Sequence, residues 1–168
     1  MDHSEVIHQA ILKEVIHRLY DECLPRILKC LNELDDEQIW WRPNESSNSI
    51  GNLVLHLSGN VRQWIYSGLG GFPDHRARQA EFDAREANSK AELARLLQET
   101  MDIVKPVIAG LPSDQFLRSR PVQTFEETGL TILIHVTEHF SYHTGQIAYI
   151  TKMCSGRPLD FYAGISLE

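Results

Sequence analysis

The sequence predicts an all-α protein, a four-helix bundle, from three observations. Four long stretches carry apolar residues at helical spacing. No stretch alternates apolar and polar residues convincingly, as a half-buried strand would. Capping and stopping residues stand where such helices would begin and end. Helices with one apolar stripe bury it against one another, which is how a bundle arises. With 168 residues, 1–168 is expected to be a single domain with a proper core.

The first helix is predicted over residues 4–34, with Ile7, Ala10, Ile11, Val15, Leu19, Cys23, Ile27 and Leu31 inside and a kink at Pro25. Residues 35–48 read as a connection, in which Trp40 and Trp41 would cover a core edge or a subunit contact. Asn48 or Ser49 caps the second helix, 50–67, whose stripe is Ile50, Leu53, Val54, Leu57, Val61, Trp64 and Ile65. Residues 68–88 read as loop, with His75 exposed. Its glycines form no phosphate loop, and no Lys-Ser/Thr follows.

Ser89-Lys90-Ala91-Glu92 is a capping box opening the third helix, which Pro106 should bend and Gly110 should end. Between 111 and 129 lie a turn at Pro112-Ser113-Asp114 and an extended piece, RSRPVQTFEET. The fourth helix, 131–154, carries Ile132, Val136, Phe140, Ile147, Ile150 and Cys154 and stops at Gly156 and Pro158. The tail offers Leu159, Phe161 and Tyr162 for docking. The longer connections leave the up-down wiring open.

Net charge is −7 with no basic cluster, which disfavours nucleic acid, since phosphate binding needs lysine and arginine. Three cysteines without a C-x-x-C suit reduced thiols and a cytoplasmic location. The start, MDHSEVIHQA, lacks the basic and apolar regions of a secretory leader, and no apolar run is long enough to span a membrane.

The fourth helix also carries His135, His139 and His143. Residues four apart on a helix have Cβ atoms ~5–6 Å apart, so two such imidazoles can share an ion. Residues eight apart are ~12 Å apart along the axis, too far for metal–nitrogen bonds of ~2.0–2.1 Å. His139 therefore belongs to any pair, and the apolar stripe favours His143 over His135 as its mate. A third ligand must come from elsewhere. The competing interpretation is a set of hydrogen-bonded core histidines. His56 borders the stripe of the second helix, with Asn60 one turn on.

Two other patterns carry metal-ligating residues. Glu5-x-x-His8 and Glu14-x-x-His17 match a di-iron motif, but that motif needs two helices and these share one, so a solvated face is expected. His135-Val136-Thr137-Glu138-His139 matches the inverzincin peptidase motif, but Glu138 falls away from the stripe and only a short tail follows.

NSIGNLVLHLSGNVRQWI (48–65) together with HVTEHFSYHTGQI (135–147) resembles the DinB-like superfamily of damage-inducible, metal-binding four-helix bundles. The order of elements and the tail LDFY extend the resemblance over essentially the whole chain. It implies a metal held by His56, His139 and His143, often in a homodimer. Related members use small thiols such as bacillithiol, mycothiol or glutathione in transferase or isomerase reactions. This chain departs from the family in having Thr144 where arginine is frequent and Tyr142 where histidine is frequent, so a contact near the cleft is expected to differ.

Three imidazoles with an open position are the pattern of a catalytic metal, whereas structural zinc is closed by four protein ligands. The expected activity is a metal-dependent transferase or hydrolase acting through a small thiol or an activated water, on zinc or nickel, with iron or manganese as alternatives. Asn60 and Gln146 are the candidate acceptors for the ligand rings, and His135 is a candidate base or a cap on the cleft. A non-catalytic, metal-binding dimeric stress protein is the alternative.

Overall fold

The computed structural model describes residues 3–166. Helix α1 (His3–Ile16) runs through a π-helical segment, His17–Cys23, into α2 (Leu24–Asn32), forming one continuous rod. The break expected at Pro25 takes the form of that π segment just upstream. Its closing bond runs from the Leu24 N–H to the Leu19 carbonyl, and Pro25 then sits in the first turn of α2, where a missing N–H is tolerated.

The buried face of α1 differs from the predicted stripe. Ile7 is half exposed, while His8, Leu12 and Val15 point inward. The stride 15-19-23-27-31 drifts by about 40° per step on a regular α-helix. The extra residue of a π turn absorbs such drift, so the stripe read downstream does not extrapolate back to the N-terminus. His8, expected on a solvated face, is instead buried edge-on against Phe116, with ring centroids 4.9 Å apart. His17 is exposed and bonds Asp21.

Two short helices lie where connections were expected. Helix α3 (Asp36–Trp40) is opened by Asp35, which forms a reciprocal capping box with Gln38. It buries Trp40, whose indole N–H donates to the Asn88 carbonyl at 2.8 Å; Trp41 stays exposed. Helix α4 (Ile50–Val61) is capped by Ser49 and continues as π-helical Arg62–Leu69. Helix α5 (Arg78–Asp83) follows inside the predicted 68–88 loop. Helix α6 (Lys90–Ala109) begins at the Ser89–Glu92 capping box, carries Pro106 in its last turn and ends at Gly110.

After the short α7 (Ser113–Phe116), an antiparallel hairpin interrupts the helical order: β1 (Ser119–Val122) pairs with β2 (Phe125–Thr128), Ser119 opposite Thr128 and Val122 opposite Phe125. Its strands are four residues long, mostly polar, and contain Pro121, so they carry no alternation to detect. Helix α8 (Gly129–Ser155) is capped by Thr128 and ends at Gly156, whose φ of 66° closes the last turn on the Lys152 carbonyl.

The result is a largely helical molecule in which four long helical segments share one core. Helix α4 packs on α6 and α8, α2 on α8, and α1 on α6. Ile27, Leu57, Met101 and Phe140 are fully buried, each supplying roughly 1.5–3 kcal/mol of hydrophobic stabilisation. Thr144 sits in this core against Cys23, not at the cleft. The tail docks through buried Leu159 and through Arg26, whose guanidinium lies over the Phe161 and Tyr162 rings. No helix among the described residues is long and apolar enough to cross a membrane.

Candidate metal centre

Three histidine rings meet between α4 and α8. His56 comes from the middle of α4; His139 and His143 come from successive turns of α8. The Nε2 atom of His139 lies 3.1 Å from Nε2 of His56 and 3.1 Å from Nε2 of His143. Ligands at ~2.0–2.1 Å on a tetrahedral centre stand about 3.4 Å apart, so these separations are close to those of a shared ion. The three residues are the described group of metal-ligating side chains whose donor atoms lie within 4.8 Å of one another.

The partners of the outer nitrogens decide the chemistry. Nδ1 of His56 lies 2.9 Å from the Glu81 carboxylate, and Nδ1 of His143 lies 2.6 Å from Oε1 of Gln146. Both acceptors favour an Nδ1–H, which turns the Nε2 lone pair of a neutral ring inward; Arg76 Nη2 also lies 3.1 Å from His56 Nδ1. His139 has no partner at its buried Nδ1 among the described residues. A proton on His139 Nε2 can satisfy only one of the two lone pairs facing it. A cation satisfies all three nitrogens, so the donor set fits a metal ion.

The electrostatics disfavour the charged forms of His139 and His143. Burial, reinforced by His143, His56, His135 and Arg76, pushes the His139 pKa down to about 3. Burial also lowers His143, against the opposing pull of Gln146, and lowers His135. Glu81 is pulled up by burial, but its hydrogen bonds to Arg76 and His56 outweigh that and hold its carboxyl below the usual range. Arg76 grips Glu81 with two charge-assisted bonds, Nε to Oε1 at 2.7 Å and Nη2 to Oε2 at 2.8 Å.

A cleft of about 310 Å³ opens above His56 and His139. Asn60, Trp64 and His135 form its helical walls, Arg76 and Arg78 one rim, and Gln123, Phe125 and Glu127 of the hairpin the other. His135 lies flat on Trp64, with centroids 3.9 Å apart and planes 28° apart.

The structure thus brings together all three histidines singled out as ligands, and sets Gln146 on His143. The acceptor on His56 is Glu81, not Asn60, because α5 lays its carboxylate against the ring while Asn60 turns to the cleft with Oδ1 unpartnered among the described residues. Glu138 is exposed and borders a groove on the α1 side of α8 with Glu14 and Arg18, away from the histidines. His135 and His139 stack nearly parallel at 5.6 Å, which does not suit a shared ion.

Sequence periodicity alone does not place Glu81, Arg76 or the hairpin at the site. One signal pointed to the first two: Gly59 lies inside α4, one turn from His56, and glycine within a helix marks a close approach. A Cβ there would collide with Glu81 Oε1 and lie 3.0 Å from Arg76 Nε.

A profile described as "Protein of unknown function (DUF1572)" matches residues 7–162. The chain belongs to this family. A crystal structure of a DinB-like protein, YjoA from Bacillus subtilis, superimposes with a TM-score of 0.62 over 89% of this chain and 93% of that one, at 18% sequence identity. The fold of DUF1572 seen in this chain is therefore DinB-like. No functionally curated protein matches the chain.

Proposed function

We propose that this DUF1572 chain is a single-domain four-helix bundle of the DinB-like type. In this proposal it holds one divalent metal ion on Nε2 of His56, His139 and His143 and works as a transferase or hydrolase on a small thiol or water. One observation carries this: three imidazole nitrogens converge between α4 and α8, two of the rings held by outer partners and two, His56 and His139, bordering an open cleft. When bound, such an ion lowers the pKa of water to ~7 or deprotonates a thiol. Zinc or nickel suits the imidazole set best, with iron or manganese as alternatives.

The chain's own groups have separable roles in this proposal. Glu81, locked by Arg76, and Gln146 orient two ligand rings and raise their basicity. Trp64 and Phe125 narrow the water-accessible space. His135 is unprotonated near neutral pH and borders the cleft, where its ring can accept a proton. A homodimer is part of the same proposal, and exposed Tyr142, Tyr149 and Met153 along α8 supply an apolar face for it.

Replacing His139 or His143 with alanine should abolish metal content measured by elemental analysis, while His75→Ala and His8→Ala leave the folded fraction fully loaded. Stoichiometric metal in a His139→Ala/His143→Ala double variant rules out the site. A thiol-conjugation screen on the loaded protein tests the activity. Turnover that tracks occupancy supports an enzyme, and silence across thiols and electrophiles supports a binding protein instead.

A further inference from the structure

A second cavity, of about 410 Å³, lies behind the Arg76–Glu81 pair, between α4, α6 and residues 74–81. It shares Arg76 with the histidine cleft but touches none of the three ligand rings. Its wall is mostly apolar, from Leu55, Gly59, Ala77, Ala80 and Leu96. A cavity of that size with an apolar wall and a few polar groups is what a small-molecule site offers.

Two of its polar groups have no use inside the protein. Ser58, Thr100, Thr144 and Thr151 are buried helical hydroxyls. Ser58, Thr144 and Thr151 each donate to the carbonyl four residues back. Thr100, 4% exposed, has no hydrogen-bond partner among the described residues. Its oxygen is not sealed in protein as the unpaired nitrogens of Trp64 and Arg42 are, and Thr100 lines the cavity, so the hydroxyl opens into it. A buried polar group without a partner is costly, and native proteins rarely keep one. At the exposed rim, Arg62 lies over the Tyr66 ring and meets no carboxylate among the described residues. Asp74, on the same rim, is taken up by Gln63 and the Arg76 N–H. Glu81 is held by Arg76. The free charge at the mouth is therefore positive.

We propose that this cavity binds a small carboxylic acid with an apolar body and a hydroxyl at its far end: the carboxylate on Arg62, the body against Leu55, Ala80 and Leu96, and the hydroxyl on Thr100. The order follows from depth, since Thr100 is buried and Arg62 is exposed. A ligand hydroxyl can accept from Thr100 and also donate to it, which a ligand carbonyl cannot. The site does not depend on the metal reading given under Proposed function.

The test is a ligand-observed NMR titration of the full-length protein with three probes: 3-(4-hydroxyphenyl)propionate, 3-phenylpropionate, which lacks the hydroxyl, and 3-(4-hydroxyphenyl)propanamide, which lacks the charge. The hydroxy acid should bind about two- to tenfold more tightly than the deoxy acid, the worth of one hydrogen bond. It should bind about two- to fivefold more tightly than the amide, as an exposed ion pair allows. Thr100→Val keeps the side-chain shape and should erase the first preference alone; Arg62→Gln should erase the second alone. His139→Ala should leave the whole pattern unchanged. No saturable binding of the hydroxy acid, or preferences that survive both substitutions, overturns the proposal. Loss of probe binding in His139→Ala would place the acid in the histidine cleft and overturn the second site while leaving the metal centre standing.

Discussion

Glu81 decides whether His56 presents its lone pair to the other two rings. It is nearly buried, bonded to His56 and doubly bonded to Arg76. Partners of this kind typically change metal affinity by about 10–100-fold. Glu81→Gln should therefore weaken zinc binding by about that factor in a chelator competition, and an unchanged affinity would remove Glu81 from the centre. Its carboxyl is held below the usual range, so its contribution to stability is present above the unfolded pKa and is lost as pH falls through the folded value. His139 has a depressed pKa too, but its linkage differs because its neutral form is the buried one. Its folded pKa is about 3, against ~6.5 for a free imidazole. Between those values the unfolded chain binds a proton that the folded chain refuses. Metal-free protein should lose stability as pH drops from ~6.5, by up to ~1.4 kcal/mol per pH unit from this group, and the loss should level off below the folded pKa. Urea midpoints at pH 7, 5.5 and 4.5 should fall less steeply for His139→Gln; parallel slopes would show that the ring is not held neutral.

Among the elements, α4 and α8 place the site by different means. Helix α8 is regular over 27 residues and sets two histidines on one face by its own periodicity. Helix α4 needs a glycine so that α5 and the Arg76 loop can press against it. Two identical substitutions should therefore act in opposite directions. Gly145 of α8 has nothing within 4 Å of an added Cβ, so Gly145→Ala should raise stability by about 0.5–1 kcal/mol. Gly59→Ala enjoys the same gain in helix propensity, but its methyl displaces a carboxylate pinned by three hydrogen bonds. It should destabilise the protein and weaken metal binding much as Glu81→Gln does. Stabilisation by both substitutions, measured by chemical denaturation, would mean that α5 yields without resistance. The hairpin is the third contributor: β2 places Phe125 and Glu127 on the rim opposite Trp64 and His135.

For the molecule as a whole, a metal bridging α4 and α8 ties residues 83 positions apart and should stabilise the fold by mass action. At a hundredfold excess over its dissociation constant, a bound ion adds about 2.7 kcal/mol. For a chain of this size that is a fall in Tm of about 5–10 °C on chelation, readable by calorimetry. The shift should vanish in His139→Ala; an equal shift in that variant would locate the stabilising ion elsewhere. The core itself does not depend on the ion. Helices α2, α4, α6 and α8 bury Ile27, Leu57, Met101 and Phe140 completely, so a folded metal-free state is expected.

What the sequence determined by itself was local. The 3.6-residue period located the four long helices, the Ser89–Glu92 box and Gly110 bounded α6, and i, i+4 spacing made His139 and His143 neighbours before any fold was known. Helix geometry left the third ligand open, and His56 entered only through the family resemblance. Tertiary structure decided the rest. It buried His8 under α7, drew Glu81 from 25 residues away onto His56, and folded a polar segment into a hairpin that walls the cleft. Periodicity reports which side of one helix faces inward. It is silent about short polar elements without a stripe, and about the register that two π-helical segments impose on the packing of distant helices.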